Sequence, residues 1–147
     1  FQNILYDLRL YSLYNKSYRH DVHRVKKLLD SIVKYNMDNI KYYISVPKDD
    51  INIFIDVLGT DGYTLLEDES IDSPNSGWVG QQVIKSQFWR LNICDNYLCI
   101  DSDCFFIKEF RVSDFINENG IPYTVCHEYK SFFEFNGFMI NMLILSE

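Results

Sequence analysis

Tyr97-Leu-Cys-Ile-Asp-Ser-Asp103 is a short apolar run that ends in two acids separated by one serine. Read as a strand, it puts Asp101 and Asp103 on one face and Ser102 on the other, because alternate side chains of a strand share a side. Two carboxylates held close repel each other and are stable mainly when a positive charge lies between or above them. A hard divalent cation such as Mn²⁺ or Mg²⁺ meets that need, with positions left for water and diphosphate oxygens. The plainer alternative has Asp101 capping the following turn and Asp103 solvated.

Directly upstream, Trp78 to Asn92 reads as a helix with Val79, Val83, Ile84, Phe88 and Leu91 as its buried stripe. Gln81 and Lys85 are four residues apart, and Gln82 and Lys85 three, so each pair shares a helix face. A lysine as a point charge and a glutamine as an orienting donor suit a metal-bound diphosphate. An ordinary polar helix surface is the alternative.

Working outward, Leu8 to Leu13 has strand composition and Tyr14 to Tyr18 that of a loop. Val22, Val25, Leu28, Leu29 and Ile32 recur at three- and four-residue steps, which predicts an amphipathic helix over His20 to Tyr35. Lys41 to Pro47 reads as a second strand, and Asp49 or Asp50 as the cap of a short helix through Leu58. Tyr63 to Glu67 reads as a third strand, and Asp72 to Gly77 as a loop. Phe105 to Phe110 and Ile121 to Cys126 are further strand candidates, and Phe135 to Leu145 is strongly apolar.

Strands alternating with helices indicate one α/β domain over residues 1–147, a three-layer α/β/α sandwich with a mostly parallel, Rossmann-like sheet. In such open sheets ligands sit at the carboxyl ends of the strands. The polar clusters Tyr14–Tyr18, Asp68–Glu69, Asp101–Asp103 and His127–Glu128 all fall at predicted strand ends, which suggests one cleft.

The chain has 147 residues, with 14 Lys+Arg against 21 Asp+Glu, a formal charge of −7. That balance argues against broad electrostatic binding to nucleic acid or anionic membrane. Hydrophobic residues at 47% and aromatics at 16% supply a full core, so disorder is excluded as the main state. No apolar run approaches the ~18–20 residues that span a bilayer, and the first residues lack a signal-peptide pattern. A cytoplasmic location, or a peripheral one at the inner membrane surface, is expected. Cys94, Cys99, Cys104 and Cys126 show no metal-type spacing and read as reduced, small hydrophobes. The chain begins with Phe1 and stops at Glu147 inside an apolar stretch, which suggests a fragment.

Gly77-Trp-x-x-Gln-Gln-x-x-Lys85, followed by an apolar strand ending Asp101-x-Asp103-x-Phe-Phe106, resembles the glycosyltransferases of the GT-A fold. More narrowly it resembles a group of bacterial glycosyltransferase-like proteins, whose Ser-Tyr-x-x-Asp pattern is similar to Ser17-Tyr-Arg-His-Asp21. Phe135-Asn136-Gly137 faintly resembles the Phe-Asn-x-Gly segment of glycosyltransferase family eight, one residue short. The resemblance implies transfer of a sugar from a UDP- or GDP-sugar to a saccharide or other hydroxyl acceptor. It implies that Asp103 binds Mn²⁺ or Mg²⁺ and that Asp101 contacts the cation or the donor ribose. Tyr14, Ser17 and Tyr18 would lie beside the base, Lys85 with Gln81 or Gln82 would face the sugar or diphosphate, and Asn136 would touch the donor. Many such enzymes take a third metal ligand from further downstream, where His127 is the one histidine, so the acceptor half and a late ligand are expected to lie outside this chain.

Glu128, or its neighbour His127, is the candidate general base for deprotonating an acceptor hydroxyl; a solvated strand end is the plainer reading. Two other functions fit parts of the pattern. A non-catalytic domain of the same fold would act as a binding or interaction module. A haloacid-dehalogenase-type phosphatase also opens with apolar residues before Asp-x-Asp, but there the motif ends the first strand of the core. Here about a hundred residues precede it.

Overall fold

The structure, a computed structural model, describes residues 11–72 and 77–123 and the strand at 144–146. Its frame is a four-stranded, wholly parallel sheet made of β1 (Tyr11–Lys16), β2 (Lys41–Val46), β3 (Thr64–Glu67) and β4 (Asn96–Cys99), in the order β3-β2-β1-β4. α1 (Val22–Tyr35) connects β1 to β2, α2 (Ile51–Leu58) connects β2 to β3, and α3 (Gly77–Gln87) precedes β4. A separate antiparallel pair joins β5 (Cys104–Phe106) to β6 (Ile144–Ser146).

Period-two alternation along the strands feeds two cores, one on each face of the sheet. Leu13, Tyr42, Ile44, Val46 and Ile100 pack with Val25, Leu28, Leu29 and Ile32 of α1 and Phe54 of α2. Tyr14, on the opposite face, packs with Ile84 of α3 and with Phe88 just beyond it. The Tyr14 and Phe88 rings stack at 4.0 Å with 13° between their planes. Helices therefore cover both faces of the sheet.

The α1 stripe is buried as its spacing predicts, while His20 and His23 are exposed. Asn36 closes the helix: its side chain brackets Ile40, donating to the carbonyl at 2.8 Å and accepting from the N–H at 3.0 Å, which returns the chain sharply into β2. Gly59, at φ 79°, ends α2 in a backbone region that disfavours side chains.

Several sequence expectations need correction. The first strand does not end at Leu13; it continues through Lys16, so Tyr14, Asn15 and Lys16 are strand residues rather than loop. β4 stops at Cys99, and Asp101 to Asp103 form a tight turn closed by the Cys104 N–H on the Asp101 carbonyl at 3.1 Å. The alternating-face relation of the two aspartates therefore does not apply. Asp50 does not cap α2 through its side chain, which pairs with Arg19 instead. Val79 is exposed rather than part of the α3 stripe. Of Phe105–Phe110, only Phe105 and Phe106 are strand residues, as the last two of β5. Residues 121–123 hold an isolated bridge, Pro122 to Ile116, and no strand. Of the apolar stretch Phe135–Leu145, only the last two residues fall within the described chain, at the start of β6.

Candidate functional site at the β1–β4 switch point

From β1 the chain winds outward through β2 to β3, then returns by α3 to β4 on the other side of β1. The carboxyl ends of β1 and β4 thus form the topological switch point, where open parallel sheets leave a crevice for ligands. Of the four predicted clusters, Tyr14–Tyr18, Asp68–Glu69 and Asp101–Asp103 do follow or end parallel strands at this edge. His127, Glu128 and Asn136 lie outside the described residues.

The acidic turn is fastened to β1. Asn15, fully buried, donates from Nδ2 to the Ile100 carbonyl at 2.7 Å and to Ser102 Oγ at 3.3 Å. Ser102 Oγ donates in turn to Ser17 Oγ at 3.0 Å. The Ile100 N–H reaches the Tyr14 carbonyl at 2.8 Å. The middle residue of Asp-Ser-Asp is therefore the anchor of the turn, flanked by the two carboxylates.

Asp101 is exposed and forms an ion pair with Lys85 of α3, whose own side chain is 13% exposed. Asp103 has the Cys104 thiol near one oxygen, at 3.9 Å. Gln81, one turn before Lys85, donates to the Lys16 carbonyl at 3.4 Å. Their four-residue spacing brings both to the β1–β4 edge, as the shared-face reading expects. Gln82 is exposed and has no such contact among the described residues.

Lys16 is fully buried, and its ammonium is satisfied on three sides: Asp68 Oδ2 at 2.8 Å, the Ser17 carbonyl at 2.7 Å and the Tyr18 ring, whose centroid is 3.5 Å away. Burial pushes the Lys16 ammonium down and the Asp68 carboxyl up from their ordinary values, and each opposes the other's shift by charge and hydrogen bonding. Asp68 Oδ1 and Asn15 Oδ1 are buried acceptors without a hydrogen-bond partner among the described residues. The loop after β1 is held by Arg19, which binds the buried Asp50 carboxylate through its backbone N–H at 2.8 Å and its Nε at 2.6 Å.

Sequence reading missed Asn15 and Lys16 and placed Tyr14 in the cleft. Tyr14 is fully buried, stacked on Phe88, with its hydroxyl on Ser45 Oγ at 2.7 Å. Tyr18, partly exposed above Lys16, is the accessible ring of the pair. The signal for Lys16 was an isolated lysine in Tyr-Ser-Leu-Tyr-Asn-Lys, which reads as polar loop unless a buried acid is known to meet it.

Among the described residues, no three His, Cys, Asp or Glu side chains converge as a metal-holding group. Asp101 and Asp103 offer an all-oxygen donor pair suited to a hard cation. The two carboxylates do not by themselves make up a metal-holding group. A cavity of about 400 Å³ lies at the opposite end of the sheet, lined by Ile32 and Val33 of α1 with Tyr42, Tyr63 and Thr64. It holds no comparable cluster of charged groups.

The sheet order and the anchored acidic turn define a parallel α/β domain with its polar site at the switch point. The chain belongs to a family of unknown function, DUF6492, whose model matches residues 8–137. No curated protein matches it.

Proposed function

We propose that this protein is a metal-dependent glycosyltransferase of GT-A type, moving a sugar from a nucleoside-diphosphate sugar to an acceptor hydroxyl. Helices on both faces of the parallel sheet support the three-layer sandwich that this reading requires. The observation that carries it is the Asp101-Ser102-Asp103 turn, tied by Asn15 and Ser17 to the end of β1 at the switch point.

In this reading Asp103 and Asp101 hold Mn²⁺ or Mg²⁺ against the donor diphosphate. The cation, when bound, supplies positive charge that offsets the charge growing on the departing nucleoside diphosphate. Asn15 and Ser17 fix the turn, so the carboxylates meet the ligand without reorganising. Tyr18 offers a ring for the base, and Lys85 and Gln81 face the diphosphate from α3.

Thermal unfolding tests the proposal. Mn²⁺ with UDP or GDP should raise Tm, because a ligand at a hundred times its Kd adds about 2.7 kcal/mol of stability. That corresponds to several degrees for a chain of this size, at ~2–4 °C per kcal/mol. Asp103→Asn should abolish the shift. If no nucleotide raises Tm with either cation, the sugar-transfer reading falls and a non-catalytic interaction domain takes its place.

A further inference from the structure

Lys85 and the proposed cation compete for one carboxylate. We propose that Lys85 is the resident counter-ion of Asp101 and makes cation binding conditional on a diphosphate; this rests on the sugar-transfer reading above.

In the turn that follows β4, the Asp101 carboxylate already carries an ammonium, that of Lys85, and Asp103 follows two residues on. Lys85 is well shielded at 13% exposed, whereas Asp101 is 63% exposed, so a cation from solvent reaches Asp101 on its open side with the ammonium behind it. Two positive groups on one carboxylate repel, and the shielding around Lys85 weakens solvent screening of that repulsion. The base of α3 gives Lys85 little room to withdraw, because the Tyr97 hydroxyl donates to the Lys85 carbonyl at 2.9 Å and Gln81 is tied to β1. What can move is the flexible side chain beyond the backbone.

A diphosphate changes the balance. Its oxygens bind the cation and also give the ammonium a new anionic partner, so Lys85 can leave Asp101 without losing its counter-charge. Cation and nucleotide then bind as a unit, each strengthening the other.

Direct Mn²⁺ titration of the whole chain, read from the electron paramagnetic resonance of free Mn²⁺ with and without UDP or GDP, tests this. The wild type should bind Mn²⁺ alone weakly and gain about tenfold or more with a diphosphate, a coupling of ordinary allosteric size. Lys85→Met, which keeps the aliphatic stem, should bind Mn²⁺ alone about tenfold more tightly and lose most of that gain, as expected when a coupling of this size is removed. Lys85→Arg, which keeps the charge, should retain the wild-type pattern, and thermal melting of each variant checks that it is folded. If the wild type shows the gain and folded Lys85→Met matches it in both measurements, this inference alone is overturned. If neither protein binds Mn²⁺ even with a diphosphate, the inference and the sugar-transfer reading both fall.

Discussion

Lys16 is the costliest residue in the sheet to place and the best held. Its ammonium lies in the interior with a carboxylate, a carbonyl and an aromatic face around it. Removing one member of such a pair leaves the other charge buried alone. Lys16→Met should therefore destabilise the protein by about 3–5 kcal/mol, whereas the double variant Lys16→Met/Asp68→Leu should recover most of the loss. Urea denaturation measures both, and a single variant that costs under about 1 kcal/mol would mean that Asp68 finds another partner or gives up its charge. Burial raises the cost of the Asp68 charge further, which Lys16 offsets.

At the scale of elements, α1 does more than cover the sheet. Ser31, buried on its inner side, donates to the Leu28 carbonyl at 2.7 Å and accepts the Phe106 N–H at 2.9 Å. One hydroxyl thus ties α1 to β5, the strand that follows the acidic turn. Ser31→Ala should cost about 1–3 kcal/mol, since it strands a buried amide rather than removing an exposed contact. Amide hydrogen exchange should show the loss first at Phe106, and unchanged protection there would refute the link. The three residues of β5 begin where the turn ends, so the contact also bears on how firmly Asp103 is placed.

Across the whole molecule, two cores share one sheet and β1 contributes to both, through Leu13 on one face and Tyr14 on the other. Phe88 is the centre of the smaller core, stacked on Tyr14 and edge-on to Tyr97. Phe88→Ala should cost about 3–5 kcal/mol, as for other fully buried aromatics. Because the strands are common to both cores, the variant should still unfold in one transition. Tryptophan fluorescence, which reports on Trp78 and Trp89 near α3, and far-ultraviolet circular dichroism should give the same midpoint. Separate midpoints would show that the α3 face melts on its own. No helix among the described residues is long and apolar enough to cross a membrane.

Local sequence pattern was enough to locate α1, α2, β2 and β3: apolar spacing or strand composition for α1 and the strands, and an expected aspartate cap after Pro47 for α2. It also brought Gln81 and Lys85 onto one face and singled out Asp101-Ser102-Asp103. It failed where polar side chains are buried by distant partners. Tyr14, Asn15 and Lys16 look like loop until Phe88, Ile100 and Asp68 are set against them, 74, 85 and 52 residues further along. Asp101 and Asp103 look like strand residues until the Cys104 amide closes the turn. The order of amino acids therefore determined which segments could cover a parallel sheet and which acids would stand at its edge. Only the tertiary structure decided which polar groups meet there, since that depends on strand order and on contacts that no local pattern records.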